Sequence, residues 1–361
     1  MYKLSLFQSN QSFIPRQFIR KIIEKAIDVD YHHRHRKEAL AILKSLERNL
    51  GKLSKKEKLA CDKYAKEVLG SRKYAPWLYV YTKNQGEFKT GWIPDNYYGK
   101  IVLQNITSDY AEITSFKSLQ LYILKSDLLN DILARINGQW FTPDLVWIDP
   151  AAVKEILFKT SSQVVFKEDN SLQGLGVHIY DSKTFNIDAI SQLGNGVFQG
   201  YIHQHDTLSR FDPGSVATLR LTTSSHMGVV KVRGAYLRLG RRGDSHIKSA
   251  SALKVPIDTL TGRLSPEGFS PQLERFLQHP DSKVEFSGIR VPAFDEVLTY
   301  VQALHSQVPF IGCIGWDLAI DHESKVWLLE WNGGHNDIKF IEATQGPMFV
   351  DLKWESLSRN V

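Results

Sequence analysis

The chain has 361 residues, 42% hydrophobic and 23% charged, proportions of an ordinary folded protein that exclude disordered, collagen-like and coiled-coil chains. A single core stops growing near roughly 250–300 residues, so two or three compact units are expected. The net charge is +6, but residues 1–75 alone hold 18 Lys/Arg against 8 Asp/Glu, so the basicity is N-terminal and the remainder is net acidic.

Seven residues from Phe13 to Ile27 (Phe13, Ile14, Phe18, Ile19, Ile22, Ile23 and Ile27) recur at helical spacing, as do Ala39, Leu40, Leu43, Leu46 and Leu50, which predicts two amphipathic helices. Their charged faces read either as solvated surface or as a docking face for nucleic acid, anionic lipid or an acidic partner. Between them lies Tyr31-His32-His33-Arg34-His35-Arg36-Lys37. No ligand cluster near it in sequence completes a metal site, and without interleaved aromatics or a nucleic-acid-binding fold, nucleic acid is not expected as a partner. Ser54 and Glu57 form a capping-box pattern for a third helix, with Gly70 as its stop.

From Trp77-Leu78-Tyr79-Val80-Tyr81 the pattern reads as short strands, placing a boundary near residue 75. Residues 116–136 read as helix. Strand-like runs follow at 163–167, 177–180, 197–202, 218–223 and 229–239. Val291-Pro292 opens a helix carrying Phe294, Val297, Leu298, Val301 and Leu304, and strands at 311–320 and 326–332 close the series. This is an α+β chain without internal repeats. Cys61 and Cys313 lack any disulfide or zinc spacing and are expected as buried free thiols. With no leader-like start and no run of about 18 apolar residues, the protein reads as cytoplasmic, without a transmembrane segment.

Two stretches carry chemistry. In the closing hairpin, a turn centred between Glu323 and Ser324 would set Asp317 opposite Glu330, with Asn332 on the same face. Like charges facing each other across a sheet destabilise by up to roughly 1 kcal/mol, so a compensating cation is expected, and an all-oxygen set suits Mg²⁺. The plainer alternative is a solvent-facing hairpin, because a one-residue slip would separate the carboxylates. The second stretch runs from Val164 to Tyr180: a strand ending in Lys167, a loop Glu168-Asp169-Asn170-Ser171-Leu172-Gln173-Gly174-Leu175-Gly176, then another strand. Glycines let backbone N–H groups approach phosphate oxygens, although an isolated Gly-x-Gly also suits a plain hairpin turn. There is no Walker loop, and a Rossmann glycine motif should open a helix, not a strand.

Together these stretches resemble the ATP-grasp superfamily, and within it the sugar-transfer-associated branch. The resemblance also rests on Gln199-Gly200-Tyr201-Ile202-His203-Gln204-His205, Ser215-Val216-Ala217-Thr218-Leu219-Arg220, Leu237-Arg238-Leu239-Gly240-Arg241 and Ile314-Gly315-Trp316-Asp317, spanning roughly residues 116–336. It implies an ATP-grasp fold, two α+β subdomains clamping ATP, behind a helical N-terminal segment. The expected units are a basic helical segment (1–75), an α/β region (76–150), a small subdomain with the phosphate flap (151–205) and a C-terminal subdomain with the metal site (206–361).

Carried onto this chain, the resemblance implies Lys167 on the nucleotide phosphates, with Lys117, or less favourably Lys125, assisting. The flap would be Ser171, Gln173, Gly174 and Gly176; the adenine hinge Gln199, Tyr201 and Ile202; the ribose contact Asp206. Arg220 and Arg238 would stabilise the transferring phosphoryl group, and Asp317, Glu330 and Asn332 would hold two Mg²⁺ ions, with Mn²⁺ as an alternative. The implied activity is ADP-forming C–N ligation of a carboxylate to an amine through an acyl phosphate. Its substrates would be small molecules that can be sugar-linked, in polysaccharide or glycoconjugate synthesis. A phosphotransferase and a nucleotide-binding module without turnover are the rivals. Where the branch has Asp-Asn and then Gly-Gly, this chain has His246-Ile247-Lys248-Ser249-Ala250, so its acceptor-side contacts are expected to differ.

Overall fold

The computed structural model describes residues 16–171, 175–244, 246–248 and 250–360. The first expectation fails in one respect: a single helix, α1 (Arg16–Leu50), runs straight through the histidine tract. Residues 16–50 contain neither Gly nor Pro, so nothing interrupts the hydrogen-bond ladder. Of the apolar residues expected to open the chain, Phe13 and Ile14 lie outside the described residues. The third helix, α2 (Lys55–Glu67), is capped as expected. Ser54 N donates to Glu57 Oε2 at 2.8 Å, Glu57 N donates to Ser54 Oγ at 3.2 Å, and Gly70 follows with φ +81°.

The strand expected at Trp77 is instead a helix, α3 (Ala75–Gln85), with Pro76 in its first turn and the left-handed Gly86 at its end. Trp77, Leu78, Val80 and Tyr81 are all buried. A short helix covered on every side has no polar stripe, and its aromatic, apolar sequence cannot be told from a buried strand by periodicity. It packs on α1 and on the helix Lys339–Gln345, in a core that joins Ala39, Leu46, Trp77 and Tyr81 to Phe340 and Phe349. The helix expected over 116–136 is also corrected. A turn at Lys117–Leu119 and a helix Gln120–Leu124 stop at Lys125, whose φ is +44°, and after a turn over 126–130 the segment ends as strand, Asp131–Ile136.

Six antiparallel strands form the first sheet: β1 (Asp131–Ile136), β2 (Gln139–Phe141), β3 (Trp147–Ile148), β4 (Gln163–Glu168), β5 (Val177–Asp181) and β6 (Gly196–Gly200), in the order β3-β2-β1-β6-β4-β5. This sheet begins at Asp131, before the boundary drawn at 151 from the sequence. Its core is Leu133, Trp140, Phe166 and Phe198 with Val153, Leu157 and Ile190 from two short helices.

Seven strands form the second sheet: β7 (Thr218–His226), β8 (Val229–Leu239), β9 (Leu253–Ile257), β10 (Gly268–Phe269), β11 (Arg275–Phe276), β12 (Cys313–Ile320) and β13 (Val326–Asn332), in the order β11-β10-β9-β8-β7-β12-β13. The helix Phe294–Gln307 covers one face, where Val297 and Val301 share a core with Leu219, Leu237, Val255 and Leu318. Because side chains alternate, the other face belongs to the residues between these. Cys61 and Cys313 are buried free thiols, and burial pushes each up to about 11. No helix among the described residues is long and apolar enough to cross a membrane.

Candidate active site

On the open face of the second sheet, cross-strand pairing assembles rows. One row runs Tyr236, Arg220, Asp317, Glu330 across β8, β7, β12 and β13. On one side of it Lys254 pairs with Arg238 and Arg238 with Thr218; on the other, Thr222 pairs with Gly315 and Gly315 with Asn332. Asp317 therefore does face Glu330, but by a different route from the one expected. The hairpin pairs Ile320 with Val326 and Leu318 with Leu328, and then a bulge at Leu329 brings Glu330 opposite Asp317. Without that extra residue Glu330 would share the face of Leu328, which is in the core. The bulge turns Glu330 and Asn332 toward the open face.

A cleft of about 540 Å³ lies over these rows, closed on its far side by Lys117, Lys167 and Val165. Its lining includes six Lys/Arg side chains (Lys117, Lys167, Arg220, Arg238, Lys254, Lys339) and four carboxylates (Glu38, Asp317, Glu330, Asp337), an excess of positive charge suited to a polyanion. Val165, Val177, Ile179, Ile202 and Leu329 add an apolar part able to take a flat aromatic group.

Asp317 is 4% exposed and held in a fork: Arg220 Nε donates to Oδ1 at 2.6 Å and Nη2 to Oδ2 at 2.8 Å, with Arg238 Nη1 at 3.5 Å. Burial pushes the carboxyl up, but Arg220 outweighs it and the net shift is downward, so Asp317 stays ionised. Lys167 donates to the bulge carbonyl Leu329 O at 3.1 Å. Burial lowers its pKa to about 8, against the pull of Glu330 and Asp131. Lys117 is buried in its turn, donates to Ser171 O at 3.0 Å and lies 3.4 Å from Glu330 Oε1. Lys125 is exposed and is not part of the lining. The loop after β4 is tied to the Lys117 turn by Asp169, which accepts from Ser118 N at 2.8 Å and Ser118 Oγ at 2.6 Å.

The donor set accommodates a hard cation. A carboxylate has about four acceptor sites, and Arg220 takes only two on Asp317. Asn332 Nδ2 donates to Gly315 O at 3.4 Å, so its amide oxygen remains an acceptor. Glu330, Asn332 and the outer lone pairs of Asp317 could hold a divalent ion beside a phosphate.

The remaining expected residues divide. Ser171, Gln199, Tyr201 and Ile202 line the cleft, and Gln199 Nε2 donates to Asp131 Oδ1 at 2.6 Å. Burial raises the Asp131 carboxyl to about 6. Gly176 packs its Cα against Ser171, where a Cβ would collide. Gln173 and Gly174 lie outside the described residues. Asp206 is exposed at the first position of a short helix, Asp206–Ser209, and does not line the cleft. Sequence reasoning missed Glu38, Tyr236, Lys254, His335, Asp337 and Lys339. Tyr236 and Lys254 were accessible by alternation and pairing around Arg238, and Asp337 by following the chain past Asn332. His246 and Ile247 also line the cleft.

The family model for sugar-transfer associated ATP-grasp proteins matches residues 154–351. The chain belongs to this ATP-grasp family. The seven-stranded sheet and β4, β5 and β6 of the six-stranded sheet fall inside the matched region, whereas α1, α2, α3 and β1, β2 and β3 precede it. No curated protein matches the sequence. Among solved structures, the biotin carboxylase domain of the 2-oxoglutarate carboxylase of Hydrogenobacter thermophilus, in complex with MgADP, ADP and bicarbonate, is similar at 13% identity and TM-score 0.42, over 69% of this chain and 46% of that one. The L-amino acid ligase from Bacillus licheniformis is similar at 11% identity and TM-score 0.40, over 70% and 48%. The D-cycloserine synthetase DcsG is similar at 12% identity and TM-score 0.40, over 68% and 72%. The match thus spans about half the length of the first two. The ATP-grasp match, with its helical N-terminal addition, agrees with the fold class expected from the sequence.

Proposed function

We propose that this ATP-grasp protein is an ADP-forming ligase that joins a carboxylate to an amine. The substrate carboxylate attacks the γ-phosphorus of ATP, ADP leaves, and the amine then displaces phosphate from the acyl phosphate to give an amide. Lys117 and Lys167 bind the phosphates, while Arg220 and Arg238 face the charge that develops on the transferring phosphoryl group. Divalent cations held by Asp317, Glu330 and Asn332 supply further charge neutralisation when bound. Gln199, Tyr201 and Ile202 border the adenine, with the six-stranded sheet and the seven-stranded sheet as the two jaws. The observation that most favours this reading is the cross-strand row of Arg220, Asp317 and Glu330 facing Lys117 and Lys167 across one cleft.

The acid and amine are proposed to be small molecules, one of them sugar-linked, as the family description suggests. The test is a screen for ADP release with Mg-ATP across amino acids and amino sugars, with products weighed by mass spectrometry. An adduct lighter than its two components by one water is the expected result. A stable phosphorylated product would instead identify a phosphotransferase, and ATP binding without substrate-dependent ADP would leave a binding module.

A further inference from the structure

The histidine tract, which found no partner in sequence, finds one in space. We propose that His35, Asp95 and His335 form a metal site of their own, for a divalent transition ion of the zinc class, separate from the oxygen-donor cluster of Asp317 and Glu330. Among the described residues these three are the group of His, Cys, Asp and Glu whose ligand atoms converge, all within 4.8 Å of one another. They come from α1, from the turn Asp95–Tyr97 and from the loop after β13. His35 and Asp95 precede the region that matches the family model, and His335 lies within it.

The spacing fits a coordination shell. His35 Nδ1 is 3.6 Å from Asp95 Oδ2, and His335 Nε2 is 3.5 Å from Asp95 Oδ1. Bonds of about 2.0–2.1 Å at tetrahedral angles put neighbouring ligand atoms about 3.3 Å apart, so the two gaps, each to a different oxygen of Asp95, are close to that edge, and a small closure would bring one atom from each residue, now within 4.8 Å, into a shell. Both gaps are too long for good hydrogen bonds, and among the described residues the one hydrogen-bond contact of His335 Nε2 is with the backbone Asp95 O at 3.3 Å, which an ion would replace. Asp95 is fully buried, and neither carboxylate oxygen has a hydrogen-bond partner. A buried carboxylate needs a counter-charge. Lys339 is the nearest lysine, but its Nζ is 3.9 Å away and is engaged by Glu38 at 2.9 Å and Asp337 at 3.5 Å.

His35 is prepared to act as a ligand. Trp77 Nε1 donates to its Nδ1 at 3.2 Å, so that nitrogen carries a lone pair, as a metal requires. Burial also lowers its pKa to about 4, which keeps the ring neutral. An ion takes over that lone pair from the indole. The buried Tyr31 hydroxyl, also without a hydrogen-bond partner, borders the site beside Gly99, where a Cβ would collide with it and come within 3.2 Å of His335 Nε2. Two imidazoles and one carboxylate favour zinc-class ions over Mg²⁺ or Ca²⁺. Bound there, the ion staples the N-terminal helix to the loop three residues beyond Asn332.

The test uses full-length protein stripped with chelator and titrated with Co²⁺, read by its visible absorption, and then displaced with Zn²⁺. Wild type is expected to bind, per chain, one Co²⁺ that gives tetrahedral-type bands, separate from any ion held by the oxygen donors, and Glu330→Gln to show the same bands. His335→Ala, at a partly exposed position that should not disturb folding, is expected to lose at least about tenfold in affinity, and His335→Cys to restore binding. Failure of wild type to bind Co²⁺, uptake unchanged in His335→Ala, or uptake abolished by Glu330→Gln but not by His335→Ala would each overturn the proposal.

Discussion

Arg220 and Asp317 sit at the centre of the cleft floor, paired on adjacent strands and almost withdrawn from water. Their bidentate geometry satisfies the carboxylate on two sides, and Arg220 Nη1 also donates to Asn336 O at 3.2 Å. A planar fork makes all three bonds at once, which a lysine cannot do. Breaking a buried pair from one side leaves the other charge stranded and costs about 3–5 kcal/mol. Arg220→Met is therefore expected to lower the free energy of unfolding by roughly that amount, toward the smaller figure because Arg238 lies 3.5 Å from the same carboxylate. Urea denaturation with an unchanged m-value would measure it. A loss below about 1 kcal/mol, the worth of an exposed pair, would mean that water reaches Asp317 freely.

At the scale of elements, the bulge in β13 decides which way the acidic side chains point. Leu329 is the residue without a cross-strand partner, its carbonyl accepts from Lys167, and the residues after it are reversed in face relative to Leu328. Deleting Leu329 should therefore swing Glu330 and Asn332 toward the core and abolish ATP turnover, whereas Leu329→Ala, which keeps the backbone count, should retain most of it. ADP release by the two variants is the comparison, and equal activity would show that register is not set there. The same hairpin shows what the sequence could tell. Asp317 and Glu330 were legible as a pair because two strands with clear alternation and a short polar turn leave few registers. The bulge was not, since nothing in Leu328-Leu329-Glu330 marks it and the miscentred turn compensated for it. β4, β5, β7, β8 and the helix Phe294–Gln307 were legible because each has one face in a core and one outside it. α3 lacks such contrast, so its aromatic run was misread. The triad of His35, Asp95 and His335 was hidden because its members come from three distant segments.

The N-terminal helices, whose charged faces read in the sequence either as solvated surface or as a docking face, are part of the main body of the molecule. Ala39, Leu46 and Trp77 share a core with Phe340, Phe349 and Trp354, and Glu38 of α1 reaches the cleft lining. Glu342 lies within this union. It is fully buried, and its carboxylate accepts from Ile93 N at 2.8 Å and Met348 N at 2.8 Å. Burial outweighs both donors and raises its pKa to about 8, against about 4.3 in an unfolded chain. Between those values the folded protein keeps a proton that the unfolded chain releases. Glu342's contribution to stability is therefore fully present below about pH 4.3, declines as pH rises toward 8 by up to about 1.4 kcal/mol per pH unit, and changes no further above it. Glu342→Gln cannot titrate, so its unfolding free energy should fall less steeply than that of wild type between about pH 5 and pH 8, whatever its absolute stability. Urea unfolding of both proteins across that interval supplies the slopes. Parallel slopes would mean that Glu342 is ionised in the folded protein throughout, with the two backbone N–H groups, not burial, governing its charge.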